Sequence, residues 1–260
     1  MSLIACTPKG LDPSMRLHAA ENAISVNPLN RAPVERLMKV MPGLTVVHPY
    51  IAVLTSKRWM TGGVDLSVSF LDNPDQALRE RILYHMNAWS ETANVRFRET
   101  GESGQVRIAR AGGQQGGYWS YLGTDILLID GAEQTMNLEG FTMNTRDEEF
   151  YRVVRHETGH TLGFPHEHMR GELVEEIDRE KAITYYMATQ GWSREEVIAQ
   201  VLTPIEESSL LGTAHADPHS IMCYQIPAQL TLHGDAIPGG ADIDSSDKAF
   251  AAACYPKHAH

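Results

Sequence analysis

Between Val64 and Phe70 apolar and polar side chains alternate, the period of a strand with one face buried. Then the period changes. From Asn73-Pro74, a helix start, Leu78, Ile82, His85, Met86 and Trp89 recur along one side and predict an amphipathic helix over 74–93. Short apolar runs at Val95–Arg98, Val106–Arg110 and Ile126–Ile129 read as further strands, and Gly112 to Gly117 as a loop. Nearer the N-terminus, Asp12-Pro13 opens a helix over 13–26 that ends at Asn27-Pro28, and a second helix over 33–40 stops at Pro42-Gly43. Phe150, Val153, Val154 and Thr161 form a buried stripe on a helix whose start is marked by a capping box, Thr145-Arg-Asp-Glu148. Segments 178–190 and 193–202 read as helices after it.

Composition narrows the partners. A chain of 260 residues that is 42% hydrophobic has ample material for one large domain or two lobes of one enzyme. Its formal charge of −11 argues against nucleic acid or an anionic membrane as partner, and no apolar run approaches spanning length. The opening Met1-Ser-Leu-Ile-Ala-Cys-Thr-Pro-Lys lacks a basic region and a sufficient apolar run for a secretory signal. The expected location is therefore the cytoplasm, or outside it by a route these residues do not mark. Three cysteines do not make a disulfide framework; Cys223 and Cys254 are either a pair or two buried thiols.

The candidate chemistry lies in residues 156–166, His-Glu-Thr-Gly-His-Thr-Leu-Gly-Phe-Pro-His. On a helix, His156 and His160 project from one face and can hold one ion. Glu157 sits beside that ion, where it can hold a water without ligating. Gly163 can adopt the left-handed conformation that ends a helix, and Pro165 prevents its continuation. The chain turns back and brings His166 round as a third ligand. Three neutral nitrogens leave one tetrahedral position open, the pattern of a catalytic rather than a structural zinc site. His168, His215, His219 and His233 are assigned no metal.

The run fits the zinc signature of metzincin proteases, and further segments resemble one branch of them, the astacin-like metzincins. Gly163-Phe-Pro-His-Glu167 resembles the family's extension of the zinc motif, and Ser220-Ile-Met-Cys-Tyr224 its Met-turn. Trp59-Met-Thr-Gly-Gly-Val64 resembles the start of the mature domain, Tyr118-Trp-Ser-Tyr-Leu-Gly123 a Trp-Ser-Tyr-x-Gly stretch, and Ser246-Asp-Lys-Ala249 the C-terminal Asp-Lys-Ala segment. Arg170 is in place after the third histidine, but Gly171 to Glu176 separate it from Ile177-Asp-Arg-Glu180, and the family's usual disulfide cysteines are not recognisable.

The resemblance implies an α/β (α+β), two-lobed metzincin fold: a twisted mixed sheet, an active-site helix and a less regular C-terminal lobe. Residues 1–57 read as an N-terminal extension or pro-segment, and 58–260 as the catalytic domain, with its upper lobe to about 163. One catalytic Zn²⁺ is expected, with a peptide or protein as substrate. Met222 is implied as an apolar floor below the histidines, and Tyr224 as a hinged ligand that donates to the oxyanion. Tyr118, Trp119, Ser120 and Tyr121 are implied as the edge strand to which a substrate adds by backbone pairing, although an internally packed role stays open for Trp119. Glu167 matches a glutamate that receives the freed N-terminus in mature members. The function so implied is a zinc-dependent endopeptidase, with Glu157 as general base. The alternative is a zinc-containing peptide-binding module on the same fold, without turnover.

Cys6 adds one further expectation. A thiolate ahead of such a domain can ligate the zinc and keep the enzyme latent. Asp12 is the rival ligand, and a free thiol the plain alternative.

Overall fold

A computed structural model describes residues 6, 9–40, 55–204 and 216–257. The Pro42-Gly43 break and His215 lie outside the described residues, and so does the side chain of His168.

Two apolar cores divide the chain. The first is built on a five-stranded sheet of β1 (Val64–Phe70), β2 (Val95–Glu99), β3 (Val106–Ala109), β4 (Tyr118–Ser120) and β5 (Met136–Leu138), in the order β2-β1-β3-β5-β4. β1 is parallel to β2 and β3, and β3 is parallel to β5; β4 alone runs antiparallel, at one edge, with Trp119 opposite Asn137. The alternation read in β1 has its expected result, since Val64, Leu66 and Val68 are buried and Asp65 is exposed. Leu78, Ile82 and Met86 of helix α3 (Gln76–Met86) and Trp89 beyond it pack in the same core. The second core gathers Leu173, Ile177, Ile183, Tyr186, Val201, Ile226 and Leu230 from the C-terminal half. The mixed-sheet, two-lobed architecture is thus the expected one.

Three local expectations need correction. Ile126–Ile129 is not a strand: Gly123–Leu128 forms a 3₁₀ helix. Gly123 takes φ +49, the Thr124 N–H donates to the Lys57 carbonyl at 2.9 Å, and Asp125 pairs with the Lys57 ammonium at 3.3 Å, so the chain is coiled before Ile126. The strand that pairs with β4 is instead β5, a short segment without a long apolar run. The helix predicted over 74–93 is α-helical only to Met86 and continues as a 3₁₀ turn, Asn87–Glu91, where the Asn87 side chain bonds to the β2 backbone at Phe97. The capping box at Thr145 does not form, because the Thr145 hydroxyl accepts the Thr142 N–H at 3.0 Å and the helix begins at Asp147.

The N-terminal segment is docked by polar contacts. Its helices are α1 (Arg16–Val26) and α2 (Ala32–Val40). Asn30, fully buried between them, donates to the carbonyls of Ala23 and Arg58, both at 2.8 Å, and accepts from the Arg58 N–H and the Ser56 hydroxyl. Asn27 donates to the Trp59 carbonyl at 2.6 Å. Asp12 caps the turn before α1, accepting from Ser14.

Candidate metal and catalytic site

The helix carrying the motif starts as an α turn (Asp147–Glu149), widens through a π stretch (Phe150–Val154), and returns to α geometry as α4 (Arg155–Thr161). Such π insertions shift the helical phase and recur at functional sites. Trp89 donates its indole N–H to the Arg155 carbonyl at 2.9 Å, beside this transition. The C-terminal carbonyls of the helix are also taken up: Trp59 donates its indole N–H to Thr161 at 2.8 Å, and the Tyr255 hydroxyl donates to Leu162. The resemblance marked Trp59 and left its task unstated; it ties the domain's first segment to the end of α4.

Gly163 has φ +90, and its turn brings His166 back to the helix. The Nε2 atom of His166 lies 3.1 Å from that of His156 and 3.0 Å from that of His160. The other ring nitrogens settle the tautomers. His156 Nδ1–H donates to the Ile221 carbonyl at 2.6 Å, and His160 Nδ1–H to the Phe164 carbonyl at 2.8 Å. A carbonyl can only accept, so both Nε2 atoms present lone pairs to the common centre. Burial holds His160 neutral, lowering its pKa to about 4. Converging lone pairs repel one another unless a cation sits among them, so this donor set fits a zinc ion.

Cys6 completes the cluster. Its sulfur and one nitrogen of each of His156, His160 and His166 lie within 4.8 Å of one another, all buried. The thiol also lies beside the Glu157 carboxyl and the Tyr224 hydroxyl. Glu157 is fully buried, and that burial lifts its pKa to about 8. A neighbouring cation would lower it again. Burial likewise pushes the Cys6 thiol well up, and metal ligation is the interaction able to deprotonate it there. Asp12, its rival, is at the surface.

Cys6 arrives along the edge strand. It pairs with Tyr118, and Lys9 pairs with Tyr121, both in the parallel sense, so the edge of β4 is met by Cys6 and Lys9. The four residues named for this edge do not share one environment. Trp119 and Ser120 are buried, with the Ser120 hydroxyl 3.0 Å from that of Thr161, whereas Tyr118 and Tyr121 are half-buried. Next to the cluster lies a cavity of about 380 Å³, lined among others by Tyr118, Arg152, Tyr186, Gln190 and Gln225.

Beneath the ligands runs Ser220–Tyr224. The Met222 sulfur abuts Gly159, between the two helical histidines, so closely that a Cβ there would overlap it. The Tyr224 ring packs on His166, centroids 4.3 Å apart. What fastens this turn is Asp247, buried in helix α5 (Ser245–Cys254): it accepts from the Ser220 hydroxyl at 2.6 Å, the Ile221 N–H at 2.8 Å and the Asp244 N–H at 3.1 Å. The Asp-Lys-Ala likeness flagged the residue but carried no role for it. Arg152, Tyr186 and Asn137 carried no signal at all. Asn137 donates to the carbonyls of Ala111 and Gly117 and accepts the Ala111 N–H, holding the loop that enters β4. Glu167 accepts from the Asp217 N–H at 3.2 Å and pairs with Arg170 at 3.3 Å. All three cysteines are free and buried, so Cys223 and Cys254 are two thiols and not a pair.

The profile of the Astacin peptidase family matches residues 53–228. The chain belongs to the astacin family. Among solved structures, myroilysin superposes on this astacin-family chain with a TM-score of 0.73 at 31% identity, covering 80% of this chain and 99% of that one. The medaka (Oryzias latipes) hatching enzyme zinc-protease HCE-1 shares the fold, with a TM-score of 0.51 at 19% identity over 76% of this chain and 92% of that one. The zinc metalloproteinase nas-27 of Caenorhabditis elegans is 35% identical over 116 residues, 45% of this chain. That match spans 24% of the nas-27 length. Family and relatives together support a zinc-dependent peptidase.

Proposed function

We propose that the protein is a zinc-dependent endopeptidase, and that with Cys6 in place it is held latent. One observation carries the reading. Three imidazoles converge at a point that also faces Glu157 and Tyr224, beside β4, the edge strand of the sheet. His156, His160 and His166 would hold the ion. When bound, zinc supplies Lewis acidity to a water and to the peptide carbonyl. Glu157 accepts a proton from the attacking water and delivers it to the departing amine. Tyr224 donates its hydroxyl hydrogen to the oxygen on which negative charge develops. Backbone groups of 118–121 hold an extended peptide, the partner class this edge suits.

The latency reading follows from competition. Cys6 lies where the fourth ligand, the proton acceptor and the oxyanion donor meet, and Lys9 after it pairs on the substrate's edge at Tyr121. Residues up to 57 then act as a pro-segment. Cleavage of a diverse peptide pool by the zinc-loaded Cys6→Ala chain tests the peptidase, with Cys6→Ala/Glu157→Ala as control. New termini are expected from the first and about 10²–10⁴-fold fewer from the second, with zinc retained. Chelation should end cleavage. Peptide binding without new termini in either would favour the non-cleaving binding module.

A further inference from the structure

The pro-segment leaves one contact that neither ligation nor backbone pairing requires. The Lys9 ammonium sits over the Trp119 ring, 4.8 Å from its centroid, inside the range of a cation–π attraction. Trp119 is held for this. Its indole N–H donates to the Gln115 carbonyl at 3.1 Å, and Tyr121 packs edge-on against it with centroids 5.9 Å apart. The ring face is thereby fixed toward the strand edge where Lys9 lies. Glu133 adds negative potential nearby, contributing after burial to the raised pKa of Tyr121. An aromatic face with an acidic neighbour selects for positive charge.

Distance places this face relative to the chemistry. Cys6 is level with Tyr118 and lies in the histidine cluster, while Lys9 is level with Tyr121. Along the edge, Tyr118 and Tyr121 are three residues apart, about 10 Å of extended backbone. A substrate that takes the same edge, with its scissile carbonyl in the cluster, sets a side chain two or three residues from the cut where Lys9 now lies.

We infer that Trp119 forms a subsite for a lysine or arginine side chain, two or three residues from the scissile bond toward Tyr121. This rests on the peptidase and latency readings above, and it names the substrate class they leave open: extended peptides carrying a basic residue at that place. Lys9 is then an occupant of a substrate subsite as well as part of the latch.

The test uses binding and cleavage separately. A zinc-loaded full chain with Cys6→Ala and Lys9→Ala frees the edge, and Glu157→Gln in addition prevents turnover. Fluorescein-labelled decapeptides differing only in lysine, arginine, citrulline or norleucine at one position are titrated by anisotropy. Lysine and arginine should bind about 3–30-fold tighter than their neutral counterparts at that position and nowhere else. Trp119→Leu should bring the ratio close to one, and Trp119→Phe should keep part of it. Equal affinities of charged and neutral peptides for the Trp119 protein would overturn the subsite, and so would a preference that survives Trp119→Leu in a variant with unchanged circular dichroism. If the Glu157 protein cuts none of these peptides while the charge preference persists, the peptidase reading fails and the subsite stands.

Discussion

Replacing Asp247 with alanine separates two quantities that usually fall together, the stability of the fold and the affinity of its metal site. The residue is 6% exposed, and it accepts hydrogen bonds from Ser220, Ile221 and Asp244. Alanine strips two buried donors in the Met-turn, the Ser220 hydroxyl and the Ile221 amide, at about 1–3 kcal/mol each. Against that stands the carboxylate's own burial. Desolvation lifts its pKa from 3.8 to about 6 despite those donors, so its ionised form costs the fold roughly 3 kcal/mol at neutral pH. The two effects nearly cancel, and the net loss at pH 7 is expected to be only about 0–3 kcal/mol.

The metal site has no such compensation. Asp247 holds the Ile221 N–H, and the carbonyl of Ile221 holds His156 Nδ1. Freeing the backbone of Ile221 on its N–H side loosens the carbonyl that sets the tautomer and aim of one ligand, for which a 10–100-fold loss of zinc affinity is expected. Competition against a chromophoric chelator reads the affinity, and urea melts of the metal-free protein read the stability. The pH dependence is a second check. Because the folded pKa lies above the unfolded one, this group adds stability as pH falls through 6 toward 3.8, a gain the alanine protein lacks. The deficit of the variant should therefore widen by up to about 3 kcal/mol between pH 7 and pH 4. Wild-type zinc affinity in Asp247→Ala, or a deficit that shrinks in acid, would refute this account.

Further outcomes are expected elsewhere. Cys6→Ala in the full zinc-loaded chain should raise peptide cleavage more than about tenfold, as for an enzyme of which under a tenth is open; unchanged initial rates would exclude Cys6 as the latch. Gly159→Ala should gain about 1 kcal/mol of helix propensity yet lose about 1–3 kcal/mol by driving a methyl into the Met222 sulfur, and should weaken zinc binding. A melting temperature above wild type with unaltered zinc affinity would show that Met222 yields freely. His85 is 4% exposed, and burial followed by the Arg155 charge holds its pKa at about 4. The unfolded chain takes up that proton first, so stability should fall by roughly 3 kcal/mol as pH drops from 6.5 to 4. In metal-free His85→Leu that portion of the acid loss should be missing from urea melts.

The histidine cluster was legible because its geometry is local. Two histidines one helical turn apart, then a glycine able to take φ +90, bring the three imidazoles together within eleven residues. Strand β1 was legible for the same reason, as its burial alternates along the chain. What escaped notice depends on distant partners. The Asp-Lys-Ala likeness marks Asp247 without a role, and only the approach of Ser220 and Ile221 makes it a clasp. β5 has three residues and owes its place to β3 and β4. Ile126–Ile129 carried enough apolar residues for a strand, but Lys57, some seventy positions earlier, coils it through Thr124 and Asp125.

The N-terminal segment is held at two places by different chemistry, and this shapes how the latency proposed above would be lost. At the cluster the hold depends on a thiol among metal donors, so it answers to oxidation, chelation or substitution of one sulfur. At the other end the side-chain amides of Asn27 and Asn30 hydrogen-bond to the backbone of Arg58 and Trp59 and to the Ser56 hydroxyl, contacts that none of these treatments touches. Under that proposal, releasing Cys6 opens the site while the segment stays tethered through Asn27 and Asn30, and Lys9 remains close to the β4 edge as a competitor for it. Asn30→Ala weakens the second hold without touching the first, stripping partners from partly buried backbone groups of residue 58 at up to about 1 kcal/mol each. If tethering limits the rate, Cys6→Ala/Asn30→Ala should show a lower KM than Cys6→Ala at similar kcat, because the change removes a competitor for the edge and leaves the catalytic groups alone. Equal KM values in the two proteins would mean that the cysteine alone holds the edge closed.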